Sequence, residues 1–456
     1  MNFPKHIFKA YDIRGLVEED LSEQLSYRLG RAFVEFLRDE GTFDEGKSIV
    51  VGRDMRDSSP SFQNEVIRGM IDEGASVVDI GLTSTPVFNF ACADFDEYIG
   101  GIMVTASHNP SEYNGFKITK GDGLPVGKGS GMERLRDLVI EGEFIEKKKR
   151  GAVISRDVRD HYIEKIFSLV SAENIKPLKL VIDGGNGMGK VTIPRVLENL
   201  PVEVTYMYME PDGNFPNHEA NPLKEETLKD LQAKVIEVGA DFGFALDGDA
   251  DRIGLVDEKG EIVSPSEVGA LIGLEMLDKN PNMHMLYDLR SSKIVPQVWK
   301  EKGASTEFCM VGHALIKKMM RETNAGFGSE LSQHLYFKDM HYLESTDLCL
   351  LLILDILSRE GKKLSELREP LQGKYFHSGE QNFKVADPDF LLTDIKDKYA
   401  KAAITSSDLD GLYMEFDWGF FSLRKSNTEP VIRLNLEAST KAKMEEMLEE
   451  IRLKLV

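Results

Sequence analysis

Three aspartates stand at alternate positions in Leu246-Asp247-Gly248-Asp249-Ala250-Asp251-Arg252, directly after an apolar run. Strand ends are where α/β proteins place their ligands. Alternate side chains converge only where the backbone curls, and Gly248 and Ala250 keep such a curl small and flexible. Three hard oxygens on one loop suit Mg²⁺, which keeps near-octahedral geometry with few protein ligands. An EF-hand would need a bidentate Glu further along and flanking helices, whereas Ile253-Gly254-Leu255-Val256 resumes a strand. The plain competitor is a solvated acidic turn, but three like charges this close repel one another unless a cation bridges them. Arg252 adds a fixed fork for an anionic ligand beside the metal.

A second cluster, Thr105-Ala106-Ser107-His108-Asn109-Pro110, follows the apolar Gly100-Gly101-Ile102-Met103-Val104. Ser107 there is a candidate nucleophile and His108 its orienting or proton-handling partner. Downstream, Lys117 in Asn114-Gly115-Phe116-Lys117 offers an amine that could exchange protons with a sugar hydroxyl. Ser and Asn-Pro are also ordinary turn residues, and this loop alone does not decide against a turn. A third cluster, Arg424-Lys425-Ser426-Asn427-Thr428-Glu429-Pro430 with Arg433, lies between two strand-like runs. Its guanidinium forks, hydroxyls and turn N–H groups read equally as a phosphate clamp or as a hairpin turn with incidental cations. A fourth, Gly184-Gly185-Asn186-Gly187-Met188-Gly189-Lys190, starts like a nucleotide P-loop. The next residue is Val191, where Ser or Thr is needed to hold Mg²⁺, so a tight strand-to-helix turn is the better reading.

These loops need elements to position them, and helix and strand patterns alternate along most of the 456 residues. Residues 21–37 read as helix, 48–51 as buried strand, 61–73 as helix and 76–80 as strand. Strand 179–183 precedes the Gly-rich turn and a helix over 192–200, and 240–246 and 283–289 are further strands. The apolar run 348–354 is far short of the ~20 residues that span a bilayer and reads as one buried helix. After about 370 the pattern changes to strands at 411–416, 419–424 and 431–437, then a charged helix at 441–455. The alternation predicts α/β layers followed by a smaller α+β domain. Charged stretches 146–150 and 359–369 are the candidate linkers.

The formal net charge of −21 argues against a nucleic-acid backbone or an anionic membrane as partner. A phosphate ester would need a local cationic pocket inside this acidic protein. Cys92, Cys309 and Cys349 are far apart with no CxxC spacing, which fits a reducing, cytoplasmic setting. Residues 1–11 carry no apolar core of signal-peptide length.

Taken in order, the motifs closely resemble the α-D-phosphohexomutase family, nearest to its phosphomannomutase/phosphoglucomutase members. The resemblance runs from Lys9-Ala10-Tyr11-Asp12-Ile13-Arg14-Gly15 through the serine loop and Asp212-Gly213-Asn214-Phe215-Pro216-Asn217-His218. It continues through the three-aspartate loop and Val311-Gly312-His313 to the 424–428 loop. It implies three related α/β domains with mixed sheets and a smaller C-terminal α+β domain around a central cleft. The expected domains are 1–150 with the phosphoserine loop, 151–254 with the metal loop, 255–366 with the sugar-recognition loop, and 367–456 with the phosphate loop.

The resemblance also implies an activity: interconversion of hexose 1-phosphate and hexose 6-phosphate, mannose or glucose, through phosphorylated Ser107 and a bound hexose 1,6-bisphosphate. Mg²⁺ would be held by Ser107, Asp247, Asp249 and Asp251. Tyr11, Arg14, Lys117, Arg252 and His313 would line the reacting end, with Lys117 the first choice for proton exchange ahead of His108 and His313. Arg424, Lys425, Ser426, Asn427, Thr428 and Arg433 would grip the phosphate that is not reacting. Arg290, where the family usually carries lysine, and Glu330, Leu331, Ser332, Gln333 and His334 would meet the sugar. The expected partner is a small phosphosugar, and the expected assembly a monomer or homodimer. The alternatives are a glucosamine or N-acetylglucosamine phosphate mutase, a phosphosugar-binding homologue without turnover, or a one-way phosphatase or bisphosphate synthase.

The chain departs from the family most in the sugar loop, which usually reads G-E-x-S-G-H. Here it is Ser329-Glu330-Leu331-Ser332-Gln333-His334, with both glycines replaced. Wherever a glycine had supplied φ > 0, its replacement costs roughly 1 kcal/mol or more and reshapes the loop. Further on, Ser345-Thr346-Asp347 stands where relatives carry Asp-Asp-Gly.

Overall fold

The protein is described here by a computed structural model over residues 3–145, 147–425 and 431–455. The chain divides into two compact units, Met1–Val263 with Ser332–Ser365, and Ser264–Leu331 with Glu366–Val456.

In the first unit, β-branched runs form two mixed sheets, because short apolar stretches buried on both faces favour strands at the centre of a layered fold. One sheet has six strands in the order Ile13–Leu16, Tyr113–Lys120, Tyr98–Val104, Ser48–Arg53, Ser76–Leu82 and Val153–Ser155. Its central strand Ser48–Arg53 runs parallel to both neighbours. Helix Glu23–Asp39 starts where Ser22 accepts the Leu25 N–H at 3.2 Å, and it buries Leu25, Leu29, Phe33 and Phe36 along one face. It crosses helix Ser59–Asp72 at main-chain contact: a Cβ on Gly30 would lie 2.1 Å from the Val66 carbonyl, and one on Gly69 2.1 Å from that of Tyr27. The second sheet runs Ile262–Val263, Ile253–Asp257, Phe242–Leu246, Leu178–Asp183 and Val202–Met207. Helix Thr346–Glu360, capped by Ser345 and ended by Gly361 at φ +63°, buries the whole 348–354 run as expected.

In the second unit, strand His284–Asp288 lies parallel to Ser305–Cys309 and Phe327–Ser329. Helices Pro265–Lys279, Ile294–Glu301 and His313–Thr323 accompany them. The C-terminal part is an antiparallel sheet built on Leu412–Phe416, Gly419–Lys425 and Val431–Ala438, with helices Pro388–Tyr399 and Lys441–Leu455. The fold class expected from sequence is therefore found.

Some edges move. The first sheet takes in Val153–Ser155, past residue 150, and the second continues to Val263, past residue 254. The helix expected over 192–200 is a 3₁₀ turn Met188–Val191 and a short helix Ile193–Leu197. Thr192 at φ −125° separates the two, and Pro194 sits in the first turn of the short helix, where a missing N–H costs nothing. Linker stretch 359–369 holds helix Leu364–Arg368, and Glu146 of the other linker lies outside the described residues. Among the described residues, no helix is long and apolar enough to cross a membrane.

Candidate active site

Ser107 sits just past strand Tyr98–Val104 at φ +52°, a left-handed conformation costing roughly 1–2 kcal/mol for an L-residue. Its surroundings impose it. The Ser107 N–H donates to Thr105 Oγ1 at 2.9 Å, and Asn109 N–H donates to the Ala106 carbonyl at 3.0 Å. Arg56, 1% exposed, donates to the carbonyls of Ser107 (2.9 Å), Pro110 (2.7 Å), Tyr113 (2.9 Å) and Asn109. Asp54, 3.3 Å away, balances the charge, and the Phe215 ring lies under the guanidinium at 5.2 Å. Sequence reading missed Arg56. The available signal was the charged run Arg53-Asp54-Met55-Arg56-Asp57 directly after a buried strand.

The three-aspartate loop joins strands Phe242–Leu246 and Ile253–Asp257. Asp247 Oδ1 closes the curl by accepting the N–H groups of Asp251 at 3.0 Å and Arg252 at 3.2 Å. Flexibility is not what Gly248 supplies: a Cβ there would lie 2.4 Å from the Ser107 carbonyl, so the glycine lets the two loops touch. Ala250 itself takes φ +60°. The P-loop-like stretch supports this turn from behind. Met188 N–H donates to the Gly248 carbonyl at 2.9 Å, and a Cβ on Gly187 would meet that oxygen at 2.6 Å.

The two loops meet at side-chain level as well. Ser107 Oγ donates to Asp247 Oδ2 at 2.9 Å and lies 3.2 Å from His108 Nδ1. Burial, reinforced by Arg252 and Arg14, pushes His108 down to about 2, so its ring is neutral beside the serine hydroxyl. One carboxylate oxygen from each of Asp247, Asp249 and Asp251 lies within 4.8 Å of the others, and all three residues are buried. Burial and then its two carboxylate neighbours raise Asp247 well above the usual range. Burial alone would raise Asp251 too, but Lys117 and His334 overcome it and hold Asp251 well below. The Oδ1 atom of Asp249 is buried with no hydrogen-bond partner. Crowded carboxylates with an orphan oxygen fit a divalent cation.

Lys117 Nζ lies 2.6 Å from both Asp249 Oδ2 and Asp251 Oδ2. Burial would push this ammonium down, but the two carboxylates hold it above the ordinary lysine value. The residue expected to exchange protons is thus an ion-pair partner of the metal-competent cluster. Arg14 Nη1 donates to Asn109 Oδ1 at 2.7 Å and pairs with Asp12, and Tyr11 is half-buried in the same segment. Arg252 Nε lies 3.3 Å from His334 Nε2, which is 3.3 Å from Asp251 Oδ1. Ser332 Oγ holds the other ring nitrogen at 2.9 Å. The divergent Ser345-Thr346-Asp347 has structural work nearby. Thr346 Oγ1 donates to the Ala250 carbonyl at 2.8 Å, and the Tyr162 hydroxyl lies 2.6 Å from Ser345 Oγ and 3.0 Å from Asp347.

The remaining expected residues lie in the second unit. Arg290 pairs with Asp288 at 2.6 Å, and Asp288 also accepts the Leu331 N–H at 2.8 Å. Glu330 accepts the Gly312 N–H at 2.9 Å just before His313, which opens its helix. Arg424 and Arg433 are register partners on adjacent strands and share Glu380, at 3.9 and 3.5 Å. Lys425 is turned away from them, because successive strand residues face opposite sides, and pairs with Asp389 instead. Ser426, Asn427 and Thr428 lie outside the described residues.

The two replaced glycines behave differently. Ser329 has no left-handed backbone and ends a buried strand, and its Oγ takes the space a Cβ on Gly269 would need, 2.1 Å away. Gln333 does take the left-handed region, at φ +64°.

A serine hydroxyl set against a metal-competent carboxylate cluster, at the strand ends of α/β sheets, suits an enzyme of the phosphoryl-transfer class. Comparison with known proteins narrows this. The descriptions "Phosphoglucomutase/phosphomannomutase, alpha/beta/alpha domain I", "domain II" and "domain III" match residues 5–146, 160–260 and 264–375, and the family's C-terminal domain matches 380–454. The phosphomannomutase of Escherichia coli K12 is 37% identical over 439 residues, covering 94% of each chain. That of Methanocaldococcus jannaschii is 37% identical over 98% of this chain and 96% of its own. A crystal structure of a phosphoglucomutase/phosphomannomutase family protein from Burkholderia thailandensis superposes with a TM-score of 0.90 at 32% identity, over 99% of this chain and 97% of its own. The chain belongs to the phosphoglucomutase/phosphomannomutase family and is a phosphohexomutase.

Proposed function

We propose that the chain interconverts the 1- and 6-phosphates of mannose or glucose, with Ser107 as the phosphoryl carrier and a hexose 1,6-bisphosphate as bound intermediate. The observation that carries this is the Ser107 hydroxyl, 2.9 Å from Asp247 inside the three-carboxylate cluster. The names of the relatives at 37% identity favour mannose or glucose over an amino sugar.

In this reading Asp247, Asp249, Asp251 and the Ser107 phosphate hold Mg²⁺. When bound, the ion neutralises charge as the phosphoryl group passes in line between oxygens. The Arg56-held turn fixes the direction of Ser107 Oγ. Neutral His108, 3.2 Å from the hydroxyl, helps to orient it when Ser107 is unphosphorylated. Arg252 and Arg14 supply fixed positive charge. Lys117, paired with Asp249 and Asp251, is the group that would exchange the sugar's proton. Arg424 and Arg433, with Ser426, Asn427 and Thr428, hold the phosphate at rest. Arg290, His313, Glu330 and His334 meet the sugar. The partner in this reading is a small-molecule phosphosugar, and a cytoplasmic location suits the three buried, free cysteines.

Intact-protein and peptide mass spectrometry tests the carrier. Phosphate is expected on Ser107 after incubation with hexose 1,6-bisphosphate and Mg²⁺, and it should leave when mannose 1-phosphate is added. A Ser107 that never accepts phosphate would sink the mechanism.

A further inference from the structure

The turn Asp212-Gly213-Asn214-Phe215-Pro216-Asn217-His218 contributes no side chain to the carboxylate cluster, yet it is tied to the supports of both loops that meet there. Asp212 N–H donates to the Asn186 carbonyl at 2.9 Å, and Asn217 Nδ2 donates to Asn186 Oδ1 at 2.8 Å. Asn186 belongs to the Gly-rich turn whose Met188 holds the Gly248 carbonyl of the aspartate loop. His218 fixes the far end, its Nε2 2.9 Å from the buried Asp183. On its other side the turn touches the support of the serine. A Cβ on Gly213 would lie 2.7 Å from Arg56 Cα, and the Phe215 ring faces the Arg56 guanidinium at 5.2 Å. Phe215 holds φ +50°, where a bulky residue is an outlier. It is only half-buried, so apolar burial offsets little of that cost, and Gly or Asn would take this backbone more readily. Strain of this kind collects where geometry is part of the mechanism.

We infer that Phe215 is a positioning residue for Ser107, acting through Arg56. This rests on the reading of Ser107 as the phosphoryl carrier. Arg56 spans the carbonyls of Ser107, Asn109, Pro110 and Tyr113 with a planar fork, so its tilt decides which of them it can hold together. An aromatic face attracts the cation and limits that tilt, whereas an aliphatic side chain of like size only fills the space. The turn bearing Phe215 is pinned to the turn that supports Gly248, so the ring sets the serine turn in register with the aspartate loop. What it maintains is the 2.9 Å separation of Ser107 Oγ from Asp247 Oδ2.

The test compares the full parent chain with Phe215→Leu, which loses the aromatic face, and Phe215→Tyr, which keeps it. Hydrogen exchange is followed by mass spectrometry in peptides covering 105–110 and, as a control, helix Glu23–Asp39. The rate of Ser107 phosphorylation by hexose 1,6-bisphosphate is measured alongside kcat and KM for glucose 1-phosphate. In Phe215→Leu, exchange over 105–110 should quicken about three- to tenfold while the control helix stays as in the parent. Phosphorylation and kcat should fall by a similar factor of about three to ten, with KM held within about twofold, and Phe215→Tyr should restore them. A merely structural residue would instead speed exchange in both regions. That result, parent-like exchange over 105–110 in Phe215→Leu, or equal losses in Phe215→Leu and Phe215→Tyr, would overturn the assignment. If Phe215→Leu does not fold, Phe215→Gly, which suits the left-handed backbone, must show the same pattern. Exchange needs no turnover, so a parent chain that never phosphorylates Ser107 would count against the carrier reading alone, and the exchange pattern would still decide the role of Phe215.

Discussion

Ser107 and Gln333 both hold left-handed backbone without being glycine, at φ +52° and +64°, and they keep opposite company. Every polar group of Ser107 is engaged: its N–H by Thr105, its carbonyl by Arg56, its hydroxyl by Asp247 and His108. Gln333 has an orphan acceptor. Strain at the serine is therefore locked in by the framework. Strain at the glutamine has no such framework at its carboxamide oxygen. The comparison teaches that a strained residue is read by its partners: full partnership holds the serine in one geometry, and a missing partner leaves the glutamine a net cost to the fold.

The largest effect should come from Ser107→Gly. Turnover is expected to fall on the order of 10⁴-fold or more, as when other covalent carriers are removed. The unfolding free energy should change by less than about 1 kcal/mol, because relief of left-handed strain offsets the lost bond to Asp247. Gln333→Gly should instead gain about 1–2 kcal/mol, since strain and orphan acceptor leave together. Denaturant titration of both variants breaks the comparison if their stabilities shift alike. Arg56→Met comes next. It strips four carbonyls of their donor and leaves Asp54 buried without its cation, so a loss of about 3–5 kcal/mol is expected, with a matching drop in the midpoint of unfolding.

The smallest effect concerns acid. His108 is pushed down to about 2 from an ordinary 6.5, by burial first and then by Arg252 and Arg14. Between those values the unfolded chain binds a proton that the folded ring refuses. Stability from this group is therefore complete above the upper value and is lost as pH falls towards the lower one. In His108→Asn, unfolding free energy measured between about pH 6 and pH 4 should fall less steeply than in the parent, by about 1 kcal/mol per pH unit. Equal slopes would show that the ring is solvated.

Much of this was legible in sequence because it is local. The alternation of apolar runs marked the α/β layers. Alternate aspartates after a strand marked the carboxylate cluster, and Val191 marked the Gly-rich turn as packing. What was not legible depends on main chain arriving from far away. Arg56 finds its carbonyls more than fifty residues on, and no side-chain pattern announces a carbonyl. Gly248 looked like a flexible spacer, whereas its reason is the Ser107 carbonyl approaching from another sheet. Lys117 read as a free amine, since the charges it neutralises lie 132 and 134 positions away. Edge strand Val153–Ser155 escaped notice because all three of its residues are exposed, which erases the usual apolar signal.

The contact between Gly248 and Ser107 has a practical consequence for anyone re-engineering this chain. Only a hydrogen atom fits between the two loops, so neither is a portable cassette. A graft of the aspartate loop into another scaffold must carry the serine turn with it, and the turn must bring Arg56. Shuffling at the boundary between the first two sheets would separate parts that function as one casting. Recombination that keeps 48–120 and 178–263 from the same parent is the kind that should yield active chimaeras.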